Sequence, residues 1–285
     1  MVKTKFQIRR APALSEAEIV IFGLICLTNI EMIMRHIFLF FFLLVCTHTA
    51  IFAQTEPEHY VKITYYAAET GELILSNSDQ ITAEYQDRVD QDIIVSWRMY
   101  HVLFSSNAAQ RYRFVTVETA KSLNDLESES NLAETVTSKI TGNRPPLTKV
   151  HSEIWGARGK VVGLRAEPPA RYKNTNFMTV QPDRLDDYHR LESQIAAPLH
   201  QHLADSGKME GWNFYRLIFP TGSAVQYNFI TADYYSKLEQ IEFGITPEVM
   251  TVIHPELDQE EFEEFADTIR ERVWSDLWEL VLSVE

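Results

Sequence analysis

Trp97 to Leu123 reads WRMYHVLFSSNAAQRYRFVTVETAKSL, and Trp212 to Leu238 reads WNFYRLIFPTGSAVQYNFITADYYSKL. The two stretches align without a gap at an offset of 115. Eight of the 27 positions are identical, most of them aromatic: Trp97, Tyr100, Phe104, Ala109, Tyr112, Phe114, Thr116 and Leu123 recur as Trp212, Tyr215, Phe219, Ala224, Tyr227, Phe229, Thr231 and Leu238. Shorter matches flank them. Gln80–Ala83 (QITA) resembles Gln194–Ala197 (QIAA) at an offset of 114, and Val150–Trp155 (VHSEIW) resembles Val273–Trp278 (VWSDLW) at an offset of 123. Self-similarity at a fixed period marks a duplicated structural unit.

Periodicity gives the elements of one copy. In the second, Asn176–Val180 is a short strand. Pro182-Asp183 opens a helix with Leu185, Tyr188, Leu191, Ile195 and Leu199 at helical spacing. Trp212–Phe219 and Val225–Thr231 alternate as strands around the Pro220-Thr221-Gly222 turn. Tyr234 onward reads as helical. A helix starting at Asp258 continues through Phe262, Phe265, Ile269 and Val273, and Leu277–Val284 is the last strand. The order is β-α-β-β-α-β, the split unit of ferredoxin-like folds. The first copy follows, with a strand at Tyr60–Tyr66 and a second helix that runs into a polar stretch around Glu127–Asn143. The expectation is an α+β protein of two tandem ferredoxin-like units, residues 54–169 and 170–285.

Composition changes near residue 54. Ile37–Val45 (IFLFFFLLV) follows Arg35-His36 and precedes Thr47–Ala53 (THTAIFA), which ends on a small residue. A charged start, a short apolar run and a small residue are the pattern of a secretory signal peptide. Nine residues are too few to span a bilayer, which needs about 20. Residues 1–53 therefore read as an upstream extension plus a leader, with translation starting at Met34, cleavage after Ala53, and a periplasmic or extracellular product. Both cysteines, Cys26 and Cys46, fall in the leader. The exported chain then has no disulfide, no thiolate nucleophile and no cysteine metal site. Losing five basic and three acidic residues takes the formal charge from -14 to -16. An acidic chain without a basic block excludes nucleic acid and anionic membrane surfaces as partners. No GxSxG, Walker A or GxGxxG motif is present, which excludes serine hydrolases of that type and nucleotide binding.

Leu185–Glu192 (LDDYHRLE), the Gly211-Trp212 start of a strand and Tyr227–Thr231 (YNFIT) resemble the dimeric α/β-barrel superfamily, and within it are similar to the NIPSNAP-like group. The resemblance spans both copies. It implies two antiparallel sheets facing each other across an α/β barrel, with the second sheet supplied here by the tandem copy. Members include cofactor-free monooxygenases, haem enzymes and isomerases, and no motif selects among them.

Alternation then sorts the strand residues. Tyr100, Val102 and Phe104, with Tyr215, Leu217 and Phe219, form an apolar face expected to pack on the helices. The opposite face is expected to line the interior, with Trp97, His101, Arg113, Trp212, Arg216 and Asn228 around a small ligand. Residues that differ between copies are the better functional candidates. Glu192 and His189, at i,i+3 on one helix, are candidates for acid–base catalysis. His101 or His151 could serve a haem, but neither is singled out. No metal-ligand spacing appears, and neither a metal nor a cofactor is expected. Three functions stay open: an exported small-ligand binder, a cofactor-independent monooxygenase- or isomerase-like enzyme using the same cavity, and an interaction protein with a filled barrel. The chain is read as a monomer or homodimer.

Overall fold

The structure is a computed structural model that describes residues 59–68, 78–127, 147–163 and 170–285. The leader, Met34, the 128–143 part of the polar stretch and the Pro168-Pro169 boundary lie outside these residues. The first unit contains β1 (Tyr60–Ala67), α1 (Ser78–Asp90), β2 (Ser96–Ser105), β3 (Phe114–Ala120) and β4 (Thr148–Val162). The second contains β5 (Tyr172–Val180), α2 (Leu185–Arg190), a π turn (Leu191–Ala196), α3 (Ala197–Asp205), β6 (Gly211–Phe219), β7 (Phe229–Tyr235), α4 (Pro247–Ile253), α5 (Gln259–Ile269) and β8 (Arg270–Val284). The α2, π and α3 segments are contiguous.

The eight strands close into one antiparallel barrel in the order β1-β3-β2-β8-β5-β7-β6-β4, with β4 returning to β1. Each unit contributes a four-stranded sheet, β4-β1-β3-β2 and β8-β5-β7-β6. The seams are β2–β8 and β4–β6. The long last strands, 15 residues each, reach across both seams. The fold is thus a closed eight-stranded antiparallel α/β barrel built from two four-stranded halves of one chain. Closure leaves no sheet edge unpaired among the described residues.

Three local expectations are corrected. β7 starts at Phe229 and runs to Tyr235, so Tyr234 is strand and not helix. The preceding residues form the turn, where the Asn228 side chain bonds both backbone groups of Val180. The helix begun by Asp258, whose carboxylate accepts from Glu260 N–H, ends at Ile269, and Val273 lies in β8. The third correction is the larger: the strand faces are inverted. Tyr100, Val102 and Tyr215 point into the barrel with Ile63, Tyr65, Trp155, Phe177, Ile230 and Trp278. Trp97 and Met99 face outward with Tyr85 and Ile81 of α1, and Trp212 and Phe214 face outward onto the α2–α3 rod. Alternation separates two faces without saying which one is enclosed. In this closed and covered barrel both faces of the wall are buried, so apolar character alone does not decide which one is enclosed. Phe104 and Phe219 lie at the strand ends and are exposed.

Repeated tyrosines of the gapless segment and repeated residues of the flanking match act together as a reciprocal clamp. Tyr112 of the first unit donates to Asp276 of the second at 2.6 Å. Tyr227 of the second donates to Glu153 of the first. Trp155 and Trp278 donate to the same two carboxylates, at 3.1 and 3.4 Å. Both carboxylates are almost fully buried. Each phenol thus meets the charge-bearing strand of the other unit, and buried hydrogen bonds to charged groups are among the strongest neutral-to-ion contacts a core can make.

Further along the barrel Lys173 is 2% exposed. Its ammonium lies 4.9 Å from the Trp278 ring centre, 5.6 Å from Tyr234 and 5.9 Å from Tyr100. Burial, aided by Arg98, lowers its pKa from 10.5 to about 7. The aromatic faces offset part of the cost of enclosing a cation.

Candidate functional site

Outside the barrel wall, the two units treat the space between sheet and helices differently. In the first, Tyr85 of α1 stacks on Trp97 with ring centres 4.0 Å apart. In the second, His200 of α3 stacks on Trp212 at 4.9 Å. The tryptophans are repeat partners, so His200 stands where the first unit has tyrosine. Four residues earlier on the same helix face, Ile81 is matched by Ala196. In β4 and β8, Leu147 and Arg270 hold matching places, since Lys149 pairs with Tyr66 as Arg272 pairs with Met178. Leu147 belongs to the first unit's core.

Tyrosine to histidine and isoleucine to alanine remove bulk, and leucine to arginine adds charge. The second unit accordingly holds a cavity of about 490 Å³, lined by the sheet, by the π turn with α3, and by α5. Its wall combines Trp212, Ile245 and Phe262 with Glu192, Asp233 and Arg270. Against the first unit's Tyr85–Trp97 core, the smaller side chains at His200 and Ala196 leave room beside Trp212.

Glu192 sits in the π turn, a one-residue insertion that reorients side chains and is common at functional sites. It is 3% exposed, and its Oε1 has no hydrogen-bond partner. Arg270 Nε, also without one, lies 3.7 Å away, near enough for attraction but too long for a hydrogen bond. Burial raises the Glu192 pKa, against the pull of Arg270. His200 Nδ1 lies 2.7 Å from the Ala196 carbonyl, and its Nε2 faces Asp233 Oδ1 at 3.7 Å. A carbonyl only accepts, so Nδ1 carries the proton and Nε2 of the neutral ring is a lone pair. Burial lowers the pKa of His200 in spite of Asp233. Asp233 Oδ2 accepts from Asn174 at 3.0 Å and from Asn176 at 3.1 Å. A proton acceptor or donor at Glu192, a neutral imidazole and a carboxylate held by amides are the ingredients of proton transfer and of polar ligand recognition.

The residues expected in the interior lie elsewhere. Trp97 is closed under Tyr85 on the outer face. His101 lies against Phe114, ring centres 5.2 Å apart, on that same face. Arg113 is exposed in the turn before β3. Arg216 faces outward near Arg158 and His189. Asn228 is spent on the Val180 backbone. Trp212 reaches the cavity, but from outside the barrel. Of the catalytic pair, Glu192 lines the cavity. His189 turns instead toward Phe214 and Phe229, and burial with Arg158 and Arg216 lowers its pKa. His200, Asp233 and Arg270 were missed. Their signal was the difference between copies at Tyr85/His200 and Leu147/Arg270.

No protein-family model matches the sequence, and no curated protein matches it. Solved structures share the fold at low identity. A chlorite dismutase mutant from Candidatus Nitrospira defluvii is 12% identical over 80% of this chain and 93% of that one, with a TM-score of 0.44. An anthrone oxidase-like protein gives 12%, 80%, 93% and 0.44. A heme-binding protein from Thermus thermophilus gives 11%, 79%, 92% and 0.44. These likenesses are of architecture.

The donor set here does not suit a haem. Among the described residues, His200 is the one imidazole on the cavity wall; its Nδ1 is held by Ala196 and its Nε2 aims at a carboxylate 3.7 Å away. Four acidic side chains face two arginines, the wrong balance for propionates. His151, stacked on Tyr65, and His101 are not part of this wall. Among the described residues no trio of His, Asp and Glu is placed to hold a metal ion.

Proposed function

We propose that this protein binds a small organic molecule in the second unit, between the β5–β8 sheet and the α2–α5 helices. The observation that carries the reading is the divergence of the copies: one Trp-anchored core is filled by Tyr85, Ile81 and Leu147, and its partner has the smaller His200 and Ala196 with a charged Arg270 beside them. The first unit then serves as the structural half of the barrel. Refilling the space tests this. Ala196→Leu is expected to raise the melting temperature and to abolish retention of small molecules, read by native mass spectrometry of wild type and variant. Equal retention by both proteins refutes the reading.

A second reading is a cofactor-independent enzyme of the monooxygenase or isomerase kind. It is favoured by Glu192, a buried carboxyl of raised pKa facing the cavity. In it Glu192 exchanges a proton with the bound molecule while Arg270 stabilises the anion that forms. Export is part of the proposal, supported by the Ile37–Val45 leader pattern, and N-terminal sequencing of the secreted protein checks it.

A further inference from the structure

We infer that this cavity is an amine site, whose occupant presents an ammonium or amino group to His200 and Asp233. The inference rests on the proposal that the cavity takes a small molecule. In the first unit Glu118 is paired with Arg88 at 2.9 Å. The repeat offset of 115 turns Glu118 into Asp233 and Arg88 into Leu203, and Leu203 is buried in the second unit's core. The carboxylate was kept and its cation was removed. Among the described residues, Asp233 has no lysine or arginine within ion-pair distance, and its one ionisable partner is His200, 3.7 Å away.

That partner is an acceptor. Because Nδ1 is committed to the Ala196 carbonyl, the neutral ring offers a lone pair toward Asp233 Oδ1. Two acceptors 3.7 Å apart need a group with at least two hydrogens between them. An amine or ammonium supplies both. A hydroxyl satisfies one and leaves the other buried without a donor, and a carboxylate is repelled by both. The position lost with Arg88 is thus refilled by a cation from outside the chain.

A second point supports a polar ligand. Glu192, almost fully buried, has an unpartnered oxygen on the same wall, 3.7 Å from Arg270 Nε. A second polar group of the occupant can bridge that acceptor and donor. Glu263 and Asp267 on α5 add negative charge to the wall, and Met178, Ile245 and Phe262 suit an apolar arm.

The test is isothermal titration of the full chain with benzylamine, benzyl alcohol and benzoate. Benzylamine is expected to bind at least tenfold more tightly than benzyl alcohol, the scale of a hydrogen bond to a charged group, with benzoate weakest. Asp233→Asn should remove the preference for the amine over the alcohol. Leu203→Arg, which rebuilds the first unit's ion pair, should abolish amine binding, with circular dichroism checking that each variant folds. Equal affinities, or tightest binding of benzoate, overturn the amine inference and leave the cavity reading standing. If none of the three binds, and Ala196→Leu retains the same small molecules as wild type, both fall.

Discussion

Lys173→Met tests the interior of the barrel. The lysine is enclosed by Tyr100, Tyr234 and Trp278, and its pKa falls from 10.5 to about 7. Below pH 7 both the folded and the unfolded chain carry the proton, and the folded state bears the full cost of enclosing it. Between pH 7 and 10.5 only the unfolded chain holds the proton, so rising pH stabilises the fold. Above 10.5 the cost has vanished. Each pH unit in that window is worth about 1.36 kcal/mol, so the whole interval amounts to about 5 kcal/mol. Methionine matches the length of the side chain and carries no charge. Such swaps cost under about 1.5 kcal/mol in packing. The variant should therefore be more stable than wild type by roughly 3–5 kcal/mol at pH 6, and the difference should shrink to within about 1 kcal/mol by pH 10.5. Urea titrations of both proteins at pH 6, 8, 9 and 10.5 measure it, and the tyrosines common to both cancel in the difference. A difference that stays constant across this range would refute the argument that a buried, proton-losing amine lies in the barrel.

Other consequences can be checked on the same protein. Tyr112→Phe and Tyr227→Phe each remove a phenol from a buried carboxylate shared between units; each should lower stability by about 1.5–3 kcal/mol in urea unfolding. A loss under about 0.5 kcal/mol would mean the clamp is not energetic. Glu192→Gln should gain stability relative to wild type as pH rises through the carboxylate range. The raised folded pKa makes ionisation of Glu192 destabilising, and the gain should level off once the folded carboxyl has lost its proton. A pH-independent difference argues against a raised pKa. His200→Tyr restores the first unit's stack and should raise the melting temperature while abolishing amine binding; unchanged benzylamine affinity counts against His200 as part of the site.

The offset of 115 made the fold legible, because aromatic residues at matching places can only mean a repeated unit. The site was legible in principle through the same comparison. The pairs His101/Arg216 and Arg113/Asn228 also differ between copies, but they lie away from the cavity. The informative pairs, Tyr85/His200 and Leu147/Arg270, lay outside the gapless segment. There the π turn at Leu191–Ala196 shifts the alignment by a residue, so that an offset of 114 sets Ile81 against Ile195 and hides the loss. Contact with the shared tryptophan sets Ile81 against Ala196 and exposes the missing bulk. Face assignment failed for another reason. Both faces of a closed and covered barrel wall are buried, so apolarity alone does not tell the inner one from the outer. Glu192 was legible because helical spacing placed a carboxyl beside an apolar stripe.

The crossed bonds Tyr112–Asp276 and Tyr227–Glu153 make each half dependent on the other at two equivalent points. In a symmetric pair of separate chains, every inherited change would occur twice, at both equivalent points. In this fused chain a change occurs once. One half could therefore stay a faithful wall, held by the crossed bonds, while the other drifted from tyrosine to histidine and from leucine to arginine. The link between the halves is what freed them to become unequal.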